Sequence, residues 1–146
     1  MKERTVLFIC VANSGRSLMA EAIFNADQPT GWRATSAGTS PATTANPRTA
    51  AALDEIGLPA PAHPPQRLTP EAMETADVRV TMGCLDNESC PARLKTLELR
   101  DWALPDPARL DDVGFRQVRE EIRARVDALR RELSSREDRV RTVQPS

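Results

Sequence analysis

The chain has 146 residues and no tyrosine; aromatic residues make up 3% of it, and it carries one histidine, His63, and three cysteines. Each scarcity removes a class of chemistry. A single imidazole leaves Cys–His proteases, two-histidine zinc sites and histidine-based general catalysis without their usual parts. Three cysteines with no signal peptide in view argue against a structural disulfide framework and for free, reactive thiols, an expectation that fits the cytoplasm. The formal net charge is −1, so no whole-molecule field draws nucleic acid or anionic lipid. The longest apolar run near the N-terminus, Val6 to Val11, falls far short of the roughly 20 residues that span a bilayer. Neither nucleic acid nor a membrane is expected as a partner. Whatever reaction occurs must use Cys, Arg, Asp and backbone groups.

What is present is an alternation of strand and helix signals over one domain's length. Thr5 to Cys10 is a continuous β-rich run, the pattern of a strand buried on both faces in a parallel sheet. Helical spacing of Met19, Ala22, Ile23 and Ala26 follows at once, ended by Asp27 and Pro29 to Gly31. Trp32 to Ser36 reads as a second strand, broken at Ala37-Gly38. Asn46-Pro47 and Thr69-Pro70 pair a capping side chain with a first-turn proline, so they open two helices, one reaching Ile56 and closing at Gly57, the other reaching about Ala76. Residues 59–67 hold four prolines and read as loop, with His63 as a solvated residue within it. Val78 to Met82 and Leu97 to Trp102 supply two more strands. From Asp111-Asp112 runs a long helix whose apolar stripe is Phe115, Val118, Ile122, Val126, Leu129 and Leu133. The residues therefore predict an α/β layered fold with right-handed crossovers, a domain over 1–134 and a flexible tail over 135–146.

The loop after the first strand concentrates the chemistry. In Cys10-Val11-Ala12-Asn13-Ser14-Gly15-Arg16-Ser17 a cysteine and an arginine flank five residues that lead into a helix. Such a loop points unpaired backbone N–H groups at one spot, where the helix dipole adds positive potential. The amides of Val11 to Gly15 and the planar fork of Arg16 suit a tetrahedral oxyanion. The same field favours a thiolate at Cys10. Ser17 is placed to donate to the sulfur, and Asn13 and Gly15 can take the positive φ that the turn requires.

The stretch VLFICVANSGRSLMAEAIF resembles the start of the low-molecular-weight tyrosine phosphatase superfamily, in particular the thioredoxin-coupled arsenate reductases built on that fold. Ser36-Ala37-Gly38-Thr39, Asn46-Pro47, Val80 to Cys84 (VTMGC) and Asp101 to Pro107 (DWALPDP) agree with it, and the similarity spans about residues 5–134. The resemblance implies a single-domain three-layer α/β/α fold with a four-stranded parallel sheet, and a monomer. It implies Cys10 as nucleophile, Arg16 as oxyanion ligand and Asp106 as general acid. This chain departs from relatives with Ala12, Gly15 and Leu18, none of which removes a catalytic group. The resemblance also implies that Asn13, Glu21 and Ser36 hold the loop and, in some relatives, a potassium ion. The further carboxylate expected near residues 65–67 is absent, Pro65-Gln66-Arg67 standing there. No organic or metal cofactor is otherwise implied.

Two activities share this superfamily. Its phosphotyrosine phosphatases grip the substrate ring with aromatic walls and carry a tyrosine after the Asp-Pro pair; here Ala108 follows, and an aryl phosphate finds little to stack on. Cys84 and Cys90 lie directly after the third strand, whose end in a parallel sheet faces the same site as the first loop. By resemblance to the reductases, Cys10 attacks arsenate, Cys84 attacks the Cys10 sulfur as arsenite leaves, and Cys90 resolves that disulfide into Cys84–Cys90 for thioredoxin, or a low-molecular-weight thiol, to reduce. Six helical steps between the two cysteines would part their Cα atoms by roughly 9 Å, whereas a disulfide needs about 4.4–6.8 Å. Residues 84–90 are therefore expected to be loop, or to rearrange on oxidation. A phosphatase with a Cys10 phosphocysteine intermediate and a phosphocarrier module stay open as alternatives.

Overall fold

A computed structural model of the chain describes residues 3–82 and 100–143, with the side chains of residues 136–143 not described. Cys84 and Cys90, and the expectation of rearrangement between them, lie outside the described residues. The elements run β1 (Arg4–Cys10), α1 (Arg16–Ala26), β2 (Trp32–Gly38), α2 (Pro47–Asp54), α3 (Pro70–Thr75), β3 (Val78–Thr81), β4 (Arg100–Asp101) and α4 (Asp112–Val143), with a 3-10 turn at Pro107–Arg109. The four strands form one sheet in the order β2-β1-β3-β4. Every pairing is parallel.

β1 is central because it can be buried on both sides. Strand side chains alternate between faces, and Val6, Phe8 and Cys10 join the larger core with residues of α1, α2 and α4. Leu7 and Ile9 face the other way, against Leu68, Met73 and Ala76 around α3. Helices thus cover both faces, which makes the three layers expected. The stripe from Phe115 to Leu133 of α4 is buried in the first core, and Phe8 sits at its centre with ring contacts to Phe24 and Trp102.

Local signals set the helix starts. The Asn46 side chain accepts from Arg48 N at 2.9 Å and that of Thr69 from Ala72 N at 3.1 Å, each ahead of a first-turn proline. Gly57, with φ of 75°, closes the turn after α2. α2 ends at Asp54, two residues short of Ile56, and two further boundaries differ from expectation. β2 does not break at Ala37-Gly38; it runs through Gly38, because β1 lies beside it in register from Arg4↔Trp32 to Cys10↔Gly38. α4 continues past Ser134 to Val143. Among the described residues no helix is long and apolar enough to cross a membrane.

Candidate active site

β1 delivers Cys10 to the C-terminal edge of the sheet, and α1 begins six residues later. The five intervening residues curl around the cysteine. Asn13 supplies the turn with φ of 49°; Gly15, expected to share that role, is the residue before the helix and has φ of −139°. No side chain caps α1, so its first N–H groups remain directed at the loop's interior.

The direction of the loop's amides follows from where its carbonyls go. The carbonyls of Cys10, Val11, Ala12 and Ser14 accept from the N–H groups of Thr39, Ser40, Ala42 and Asn46, at 3.1, 2.8, 2.9 and 3.1 Å. Thr49 Oγ1 adds a second donor to the Ser14 carbonyl at 2.7 Å. In a planar trans peptide the N–H of the next residue points the opposite way. The N–H groups of Val11, Ala12, Asn13 and Gly15 therefore turn inward. One is seen to do so: Asn13 N donates to Cys10 Sγ at 3.2 Å. Residues 39–49 form an outer layer that clamps the loop from behind, and Gly38 lets the two segments approach, since a Cβ there would stand 2.5 Å from the Val11 carbonyl oxygen.

A buried hydrogen-bond chain fixes the sulfur. Gln66 N donates to Asn13 Oδ1 at 2.8 Å, which orients the amide so that Asn13 Nδ2 donates to Ser17 Oγ at 2.7 Å. Ser17 Oγ stands 2.9 Å from Cys10 Sγ. With its lone pair engaged by Asn13, the hydroxyl can direct its proton at the sulfur. Cys10, Asn13 and Ser17 are all buried, so a thiolate here would receive two donors in a site with little water.

Arg16 Nη1 donates to the carbonyls of Met82 at 2.5 Å and Leu104 at 2.8 Å. One nitrogen therefore ties the loop to the chain just after β3 and β4. Among the described residues both guanidinium contacts run through Nη1, leaving the Nε–Nη2 edge for a bidentate anion. Asp106 lies beyond β4, its Oδ1 accepting from Ala108 N at 3.0 Å to cap the 3-10 turn. The turn reaches the loop at Pro107, whose Cγ would lie 3.7 Å from a Cβ placed on Gly15.

His63 is not the solvated loop residue the sequence suggests. Its Nε2 meets both carboxylate oxygens of Glu21 at 2.9 Å, and its Nδ1 lies 2.8 Å from the Pro64 carbonyl. Burial works against a charged ring here, but the Pro64 carbonyl and the Glu21 carboxylate outweigh it and raise the His63 pKa above its ordinary value. The signal for this pair was present: Glu21 is the one charge inside the apolar run LMAEAIF, and a buried carboxylate needs a partner. The bonds from residues 39–49 to the loop carried no comparable signal; in that layer the sequence marks only the helix start at Asn46-Pro47.

Comparison with known proteins places this geometry among relatives. The low molecular weight phosphotyrosine protein phosphatase family matches residues 5–139. Arsenate reductase 1 of Staphylococcus epidermidis is 31% identical over 127 residues, which is 87% of this chain and 96% of that protein. The solved structure of an arsenate reductase from Archaeoglobus fulgidus shares 33% identity with a TM-score of 0.70, covering 85% of this chain and 97% of its own. A thioredoxin-dependent arsenate reductase from Corynebacterium glutamicum shares 31% identity with a TM-score of 0.72, covering 88% of this chain and 60% of its own.

Proposed function

The chain belongs to the low molecular weight phosphotyrosine protein phosphatase family, and from that premise we propose that it is an arsenate reductase working through its three cysteines. The observation that carries the reading is the inward-turned loop: amides of Val11, Ala12, Asn13 and Gly15, with the Arg16 fork, gathered around a buried Cys10. Such preorganised donors act most strongly where charge develops in the transition state. The relatives named as arsenate reductases support arsenate as the oxyanion.

In this reading the Cys10 thiolate attacks arsenic, forming the S–As bond as an arsenic-bound hydroxyl takes one proton and leaves as water. Asp106 is the acid: its Oδ1 is engaged by the Ala108 amide, so Oδ2 is the oxygen to carry the proton. Cys84 then attacks Cys10 Sγ, forming the Cys10–Cys84 disulfide, while the electron pair of the S–As bond stays on arsenic and As(V) departs as As(III). Cys90 attacks Cys84 Sγ, releasing the Cys10 thiolate and leaving Cys84–Cys90. A dithiol such as thioredoxin supplies the two electrons that restore both thiols. Support for the second step comes from Arg16, which holds the Met82 carbonyl. Cys84 follows two residues later in the sequence. Ser17, through its contact with Sγ, acts on the nucleophile in every step. We take residues 1–134 as the working domain, acting as a monomer in the cytoplasm.

The experiment compares arsenate-dependent oxidation of reduced thioredoxin with hydrolysis of an aryl phosphate, in wild type, C84S and C90S. Wild type turns over with arsenate; both variants release at most one equivalent of arsenite. Full multiple turnover in either variant overturns the relay, and aryl phosphate hydrolysis exceeding arsenate reduction in all three favours a phosphatase.

A further inference from the structure

Glu21 lies on α1 with its side chain 9% exposed. Its Oε1 accepts from Ser36 Oγ at 2.7 Å, and both of its oxygens face His63 Nε2. The Pro64 carbonyl opposite Nδ1 can only accept, so Nδ1 carries a proton; a ring nitrogen straddling two carboxylate oxygens carries the other. His63 therefore presents two donors and a positive charge to the interior.

The family resemblance points to a potassium ion beside Asn13, Glu21 and Ser36, and the residues of this chain do not fit one. A hard cation takes its ligands from oxygens with lone pairs turned towards it. Here the Glu21 oxygens meet an N–H, the Asn13 oxygen accepts from Gln66 N, Ser36 Oγ directs its proton at Glu21, and the Ser36 carbonyl accepts from Gln66 Nε2. The positive charge at this place belongs to a side chain.

We propose that His63 is a positioning residue that replaces a monovalent cation, neutralising Glu21 and seating the layer on which the nucleophile loop rests. The path is short. His63 lies three residues before Gln66, whose N–H holds Asn13 Oδ1, whose Nε2 holds the Ser36 carbonyl and whose carbonyl accepts from Gly38 N at 2.7 Å. Asn13 in turn holds Ser17 and the Cys10 sulfur. Loss of the ring leaves a buried carboxylate unpaired and a ring-sized space beside it, the condition under which an external cation would enter.

The test measures thermal unfolding in potassium chloride and in choline chloride at equal ionic strength. Wild type unfolds at the same temperature in both. H63A in choline unfolds about 3–8 °C lower, as stranding a buried carboxylate that still accepts from Ser36 Oγ requires, and potassium recovers at least half of the loss. The double variant E21Q/H63A, with no charge left to neutralise, is more stable in choline than H63A. A potassium-dependent rise in wild type, an H63A variant as stable as wild type, or no gain in the double variant overturns the proposal; the wild-type measurement decides it even if H63A does not fold. A kinetic arm rests on the arsenate reductase reading: H63A loses kcat more than it raises KM, and potassium restores kcat. Failure of that arm alone, with the unfolding results as expected, counts against the reading of the reaction and leaves the replacement of the cation standing.

Discussion

Replacing Gly38 by alanine tests whether the outer layer sets the geometry of the nucleophile loop. The added Cβ would stand 2.5 Å from the Val11 carbonyl oxygen, 2.9 Å from Asn13 N and 3.0 Å from Asn13 Cβ. A carbon meets a carbonyl oxygen comfortably at roughly 3.3–3.6 Å, so the loop and β2 must part by about 0.8–1.1 Å. Neither side yields easily. Gly38 is held by its own N–H on Gln66 and its carbonyl on Leu68 N, while the Val11 carbonyl is held by Ser40 N. The displaced atoms are backbone of the loop that aims amides at the substrate, and a misplacement of this size costs about 100-fold in rate. Overpacking itself costs roughly 1–3 kcal/mol. G38A should therefore lose about 100-fold in kcat/KM for arsenate reduction and at least about 10-fold in affinity for inorganic phosphate, while unfolding in urea shows a loss of only about 1–3 kcal/mol. Phosphate affinity and turnover equal to wild type, with stability alone reduced, would refute the clamp.

Three further outcomes follow from the same contacts. R16K keeps the charge but not the planar fork, so a lysine that reaches the carbonyls of Met82 and Leu104 lacks a second donor edge; phosphate affinity measured by calorimetry should fall about 10- to 100-fold. S17A leaves the buried Asn13 Nδ2 without its acceptor and should cost about 1–3 kcal/mol in urea unfolding; an unchanged midpoint would mean that Asn13 finds another partner. Glu55, held by hydrogen bonds from Arg116 and Arg119, has its pKa lowered from 4.5 to about 2. A carboxylate depressed on folding adds stability above its unfolded pKa and loses it as pH falls through the folded one, so wild type should exceed E55Q near neutrality and the two should converge between about pH 4.5 and 2.

How much of this was legible in the sequence depends on how far apart the partners lie along the chain. Asn46 and Thr69 announce their helices because a cap bonds two or three residues on, and β1 announces a central strand because six consecutive residues have no polar face to show water. Cys10 and Arg16 were legible for the same reason: strand, loop and helix follow one another without a break. What the spacing gave for Arg16 was half of its work. Its two carbonyl acceptors are 66 and 88 residues away, and no local pattern distinguishes an arginine that only binds an anion from one that also joins the ends of two strands. His63 was misread on the same principle. A lone histidine among four prolines looks solvated, yet its ring meets Glu21, 42 residues earlier. The informative residue was Glu21. A carboxylate inside a helix face that is otherwise apolar must be matched by a cation or a proton, and the proline-rich loop of residues 59–67 offers two cations, His63 and Arg67. The demand is local to Glu21, but the choice of His63 over Arg67 is made by the fold, which brings the ring to 2.9 Å from both carboxylate oxygens.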